Sequence, residues 1–256
     1  MYIFLSNLSL SDMMFSTNIV PNMFTFILKD GEGTISFNGC LSQFYFYGFL
    51  GSTECFLLSV MSYDRYLAIC DPLHYYSIMN LNLQKQFIAF SWITSSVVTL
   101  FPVILLHQLQ FCGPNVIDHF FCDLAPVLEL SCSDTSIVKT ETLVSSIFVV
   151  LLPFLFIIST YVRIIRTILR IQSTQGRQKT FSTCSSHLVI VCTYFLTIIT
   201  VYSIPSNPYS STANKIRSLL YIVATPLFNP IIYSLRNKEI NMTLSEIYTT
   251  LKKMQF

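Results

Sequence analysis

The feature that most limits this chain is a set of six long apolar stretches almost free of charge, at 3–28, 41–63, 87–106, 143–162, 188–204 and 218–235. Together they take up almost half of the 256 residues. A bilayer's hydrocarbon core is about 30 Å thick, and a helix needs about 20 residues to cross it. No water reaches the backbone there, so a crossing segment must pair its own N–H and C=O groups. Each stretch therefore reads as a membrane span. One alone would read as a buried core helix, but six in one chain argue against that. Charged residues make up 11% of the chain, against about 25% in an ordinary soluble domain, too few to cover a soluble surface. The 52% hydrophobic content excludes disorder. Seven glycines without a Gly-X-Y period exclude collagen, and a net charge of +2 gives no reason to expect a nucleic-acid partner. The first stretch is too long for a signal-peptide core and has no basic leader or small-residue cleavage site. The expected fold class is all-α: a polytopic helical bundle in a membrane, forming a single transmembrane domain over 1–256.

Lys and Arg orient the bundle. Arg65, Lys85, Arg163, Arg166, Arg170, Arg177, Lys179, Arg236, Lys238, Lys252 and Lys253 fall on one side, which the positive-inside rule makes cytoplasmic. Lys29, Lys139, Lys215 and Arg217 fall on the other. Six spans then place both termini, the C-terminus included, in the cytoplasm. After the last span, Ile240, Leu244, Ile247 and Leu251 recur at helical spacing and end in Lys252-Lys253. That pattern predicts an amphipathic helix over about 238–252, lying on the inner membrane surface. The basic loop residues are suited to anionic lipid headgroups.

One connection is long, about 107–139, on the outer side. It carries Cys112, Cys122 and Cys132, and Cys40 opens the second span. An oxidising exterior allows disulfides, and four cysteines permit three pairings. A zinc site is disfavoured, because no close Cys-x-x-Cys or paired histidine spacing accompanies them. Asp12 and Glu54 fall inside the first and second spans. An intramembrane carboxylate costs several kcal/mol unless it finds a partner or a proton. Two readings are open: a cation shared by the pair, or protonated groups hydrogen-bonded to Ser or Asn.

The second span ends in Met61-Ser62-Tyr63-Asp64-Arg65-Tyr66-Leu67-Ala68-Ile69-Cys70. The fifth is preceded by Lys179-Thr180-Phe181-Ser182-Thr183-Cys184-Ser185-Ser186-His187-Leu188. The sixth contains Pro226-Leu227-Phe228-Asn229-Pro230-Ile231-Ile232-Tyr233, and the first contains Leu8-Ser9-Leu10-Ser11-Asp12. In order and spacing these segments resemble the signature motifs of the olfactory receptor family, rhodopsin-like G-protein-coupled receptors. The likeness extends over essentially the whole chain.

The resemblance implies a rhodopsin-like bundle holding six of the usual seven spans. Met1-Tyr2 matches the inner start of the family's second span, so a truncated product or a fragmentary gene model is expected. It implies disulfides Cys40–Cys122 and Cys112–Cys132, a sodium ion at Asp12 and Glu54 as the only candidate bound cofactor, and no metal otherwise. Asp64, Arg65 and Tyr66 match the Asp-Arg-Tyr element that restrains the resting state and then faces the G protein. Asn229, Pro230 and Tyr233 match the Asn-Pro-x-x-Tyr switch. The implied partners are a small-molecule odorant, a heterotrimeric G protein of the olfactory stimulatory type and membrane lipids, with no nucleic acid. The implied location is the plasma membrane.

For the ligand, helical spacing puts Tyr47, Gly51 and Glu54 on one face of the second span, with Gly48 and Ser52 adjoining. Phe195 and Tyr202 share a face of the fifth span. Amine receptors of the wider class carry Asp where Tyr47 stands, which argues against a cationic amine. The family has Tyr where Phe195 stands, so a hydroxyl is expected to be lost there. An apolar aromatic site with Tyr47, Ser52, Thr197 or Tyr202 as hydrogen-bond partners fits a small neutral odorant. The competing reading of these aromatics is plain helix packing. An enzyme is not expected: Cys184 and His187 are three residues apart but lack a third orienting group. Phosphate-binding, dinucleotide and metalloprotease motifs are lacking. Two further alternatives are a non-functional truncated receptor and, with Asp12 and Glu54 lining a path, an ion channel or transporter.

Overall fold

The computed structural model describes residues 2–29, 33–112, 114–202, 215–216 and 218–222. They form helix after helix, with no strand among the described residues beyond an isolated Phe111–Ser131 bridge. The long helices are α1 (Tyr2–Leu28), α2 (Phe37–Cys70) and α4 (Leu81–Gln108). After the outer loop come α6 (Ser136–Ser146), one π-helical turn (Ile147–Leu151) and α7 (Leu152–Leu169), then α8 (Thr174–Tyr202). Two short helices sit in connections, α3 (Tyr75–Ile78) and α5 (Leu124–Glu129). Residues 218–222 are helical and begin the last apolar stretch. The rest of that stretch, Asn229, Pro230, Tyr233 and the amphipathic segment 238–252 lie outside the described residues.

The helices outrun the apolar windows read from sequence. α2 begins at Phe37 rather than 41 and runs on to Cys70. α8 begins at Thr174, well before 188. The apolar window marks only the thickness of hydrocarbon; a helix keeps its backbone paired past that boundary, where polar side chains meet water. Caps fix the starts. Ser36 accepts from the Gly39 N–H at 3.1 Å, and Asn80 accepts from the Leu83 N–H at 2.9 Å. By length and apolarity α2, α4 and the α6–α7 rod are able to cross a membrane, with a bent α8 as a fourth. α1 has 27 residues, but Ser, Thr and Asn dilute its apolarity. Several of these bond back to their own helix, as Ser16 does to the Asp12 carbonyl and Thr17 to that of Met13.

α4 shows what solvent the bundle is built for. Its exposed side chains include Phe90, Ile93, Val97, Phe101 and Ile104, at helical spacing, whereas Ser91, Ser95 and Thr99 are buried. An aqueous protein places these the other way round; in lipid, apolar tails give no drive for helices to hide Leu or Phe, and small residues allow close approach. Gly48 on α2 is such an approach: a Cβ there would lie 2.7 Å from Thr99 Cγ2.

α2 is the central helix, touching α1, α4, α7 and α8. Interhelical hydrogen bonds stitch the bundle. Trp92 Nε1 donates to Asn7 Oδ1 at 3.1 Å, the Tyr45 and Ser96 hydroxyls meet at 2.7 Å, and Ser11 donates to the Leu50 carbonyl at 3.3 Å. Each is worth about 0.6 kcal/mol in a membrane bundle.

Candidate functional site

The end of the bundle carrying the long loop is called outer here. Two disulfides shape that loop. Cys40–Cys122 ties it to the start of α2, and Cys112–Cys132 closes it on itself. Backbone bonds reinforce the second closure, Cys132 N–H to the Gln110 carbonyl at 3.0 Å and Cys112 N–H to that of Leu130 at 3.3 Å. The segment His119-Phe120-Phe121-Cys122 is thereby laid over the helices. His119 and Phe121 are buried, and Asp118 pairs with Lys215 near the last described helical residues. Burial, aided by the Lys215 ammonium, pulls His119 down to about 4. Its Nδ1 accepts from the Phe121 N–H at 3.4 Å.

Beneath the loop, aromatic rings converge. Tyr47 meets Phe121 at 5.1 Å between centroids, Phe15 at 5.5 Å and Tyr221 at 6.0 Å. Tyr221 also meets Phe15 at 5.7 Å and Tyr194 at 6.2 Å. Phe195 packs on Phe154 at 4.8 Å and on Tyr194 at 5.4 Å. Such pairs are worth about 0.5–1.5 kcal/mol each beyond area burial.

Of the residues picked from sequence, Tyr47, Gly51 and Phe195 face this cluster; a Cβ on Gly51 would lie 3.1 Å from the Tyr221 hydroxyl. Gly48 does not. It abuts Thr99 of α4, so it is a close-packing contact rather than a cavity wall. The hydroxyls of Ser52 and Thr197 bond to carbonyls one turn back on their own helices, at 2.7 Å to Gly48 and 3.0 Å to Thr193. Tyr202 ends α8, and its side chain lies outside the described residues. The hydroxyl expected to be missing at Phe195 is supplied by its neighbour. Tyr194 donates to the Gly51 carbonyl at 2.7 Å and receives from Cys55 Sγ at 3.4 Å. Tyr194, Tyr221, Phe15 and Phe121 were not singled out by helical spacing, because they converge from different elements. The one local signal was Tyr194 lying directly beside Phe195.

Deeper in, Asp12 of α1 and Glu54 of α2 are buried within reach of each other's charge. Neither Glu54 oxygen makes a hydrogen bond of ordinary geometry with the described residues.

At the inner end of α2, Asp64 accepts from the Tyr75 hydroxyl of α3 at 2.9 Å. Arg163 stacks on the Tyr66 ring, 5.8 Å from its centroid. Arg65 Nε is buried with no partner among the described residues. His187 is engaged with Tyr161 of α7 rather than with the Cys184 thiol: its Nδ1 meets the Tyr161 hydroxyl at 2.7 Å, and the rings stack 10° from parallel.

A protein-family model described as olfactory receptor matches residues 1–251. The chain belongs to the olfactory receptor family. Human olfactory receptor 11A1 is 45% identical over 247 residues, which are 96% of this chain and 78% of that receptor. Human olfactory receptor 10A7 is 45% identical over 249 residues, 97% of this chain and 78% of the other. Among solved structures, squid rhodopsin superposes with a TM-score of 0.74 at 19% identity, covering 95% of this chain and 70% of that one. At that identity the likeness establishes the fold, a rhodopsin-like helical bundle. The motif reading of the sequence thus reached the right family. As a member of it, this olfactory receptor is a multi-pass membrane protein and a signalling receptor, not an enzyme.

Proposed function

We propose that this receptor binds a small, neutral, mostly apolar odorant beneath the outer loop and answers by activating a stimulatory heterotrimeric G protein of the olfactory type. The observation that carries this reading is the aromatic cluster of Tyr47, Phe121, Phe15, Tyr221, Tyr194 and Phe195, drawn from α1, α2, α8, the loop and the last helical residues. No charged side chain is among these six. Their rings attract apolar ligands, and the Tyr47, Tyr221 and Tyr194 hydroxyls supply a few orienting groups. A ligand enters by parting rings that otherwise pack on one another. It favours the parted arrangement only by its differential affinity for it.

In this reading α8 carries the change inward. Its outer part holds Tyr194 and Phe195 at the ligand site, and its inner part holds His187 against Tyr161. Opening of that contact uncovers Arg65, with Asp64 and Tyr66 as neighbours on the coupling face. Asn229, Pro230 and Tyr233 complete the switch, and the C-terminus is cytoplasmic. The six apolar stretches make one plasma-membrane domain, with 238–252 on the inner surface among anionic lipids. Asp12 and Glu54 would hold a sodium ion, whose single charge would offset one of the two carboxylates. Buried carboxylate oxygens of this kind are hard donors suited to such a cation.

The test is a cyclic AMP assay in cells supplied with the olfactory stimulatory G protein, using a mixture of medium-chain alcohols, aldehydes, ketones and esters. A rise that is lost in Tyr47→Ala and in Arg65→Ala at equal surface level is the expected result. Current through the protein in a reconstituted bilayer without G protein would instead mark a channel.

A further inference from the structure

We propose that Gln43 is a positioning residue: one buried side-chain amide holds the outer loop and α1 together and so sets where Phe121 sits over Tyr47. The amide oxygen of Gln43 accepts from the Cys122 N–H at 3.0 Å. Its Nε2 donates to the Asn18 carbonyl on α1 at 3.1 Å. Asn18 returns the bond, its Nδ2 donating to the Gln43 carbonyl at 3.0 Å. Gln43 is only 4% exposed, so these bonds face little competition from water.

The bond to Cys122 differs from the disulfide on the same residue. The disulfide fixes a Cα–Cα separation of 5.4 Å but leaves torsions about its bonds. The Cys122 N–H belongs to the planar peptide joining Phe121 to Cys122. Pinning that N–H orients the whole peptide plane and with it the Phe121 Cα. Phe121 meets Tyr47, which stands four residues after Gln43 on the same face of α2. Asn18 stands three residues after Phe15, which also meets Tyr47. The clamp therefore joins α1, α2 and the loop, the same elements that bring Phe15, Tyr47 and Phe121 together.

Only a primary amide of this length does both jobs. Glu in its ionised form keeps the acceptor but loses the donor, Leu loses both, and Asn is one methylene short. The consequence for ligands rests on the odorant site proposed above. The clamp itself does not.

Hydrogen–deuterium exchange on the intact receptor in lipid nanodiscs tests the clamp. In the unaltered protein the Cys122 amide is expected to exchange far more slowly than the amides of the exposed loop residues Asn115 and Asp118. Exchange as fast as theirs overturns the proposal without any variant. In Gln43→Leu the exchange of a 118–123 peptide is expected to rise about ten-fold, the loss of one hydrogen bond, with α1 and α2 unchanged. Gln43→Glu is expected to fall between. A rise spread equally over α1 and α2 would make Gln43 an ordinary packing residue and overturn the proposal. Potency of the odorant mixture at equal surface level then separates the two readings. A loosened loop with unchanged potency leaves the clamp standing and removes the loop from the ligand site; an unchanged loop with lost potency removes the clamp and leaves the site.

Discussion

His119 is an imidazole kept neutral by its surroundings, and its titration has a definite sign. Its ordinary value is 6.5 and the folded value about 4. A detached loop takes up a proton below 6.5, whereas the packed loop resists until about 4. Stability is therefore full above 6.5 and drains as pH falls through that window, by at most about 1.4 kcal/mol per pH unit. Melting temperature of the purified receptor is expected to drop across that window, and His119→Phe to flatten the drop. A second residue-scale prediction concerns Tyr194. Replacing it with Phe removes the bond to the Gly51 carbonyl while keeping the ring. A loss of about 1 kcal/mol is expected, read as a lower melting temperature with the helices intact by circular dichroism.

Among the elements, α2 and α4 meet both through ring pairs such as Phe49–Trp92 and through small residues that set how closely the backbones approach. Gly48 lets the helices approach until Thr99 Cγ2 fills the space its own Cβ would take. Gly48→Ala is expected to push the helices apart and cost about 1–3 kcal/mol, reducing surface expression. Thr99→Ala in the same chain is expected to restore it, because the offending methyl is gone. Rescue distinguishes a packing role for Gly48 from a role in ligand contact; a ligand contact would show as lost potency that Thr99→Ala does not repair.

Across the whole molecule, the outer and inner ends are joined by α8, and the Tyr161–His187 bond holds α8 to α7 at the inner end. Tyr161→Phe keeps the stacked ring and deletes that bond. A shift of about 1 kcal/mol toward the open arrangement follows, a several-fold rise in basal cyclic AMP without odorant. Unchanged basal signalling at matched surface level would remove this contact from the restraint.

The apolar stretches by themselves determined an all-helical membrane bundle, because lipid leaves the backbone only helices or a closed barrel, and these stretches have the length of spanning helices rather than of barrel strands. The motifs around Asp64, Arg65 and His187 determined the family, since each is local in sequence. Helical spacing also placed Tyr47 and Gly51 on one face of α2, the face that meets the aromatic cluster. It failed for Gly48, because a face two residues wide points at α4 on one side and at the bundle interior on the other, and only the neighbouring helix decides which. The helix ends were hidden too, since hydropathy reports lipid thickness and not where hydrogen bonding stops. What tertiary structure alone decided is the meeting of Phe15, Tyr47, Phe121 and Tyr221, and of Gln43 with Asn18 and Cys122. Gln43 lies 25 residues from Asn18 and 79 from Cys122 where they hydrogen-bond. No periodicity within one helix carries contacts made between elements; they arise when the folded loop is laid on the bundle.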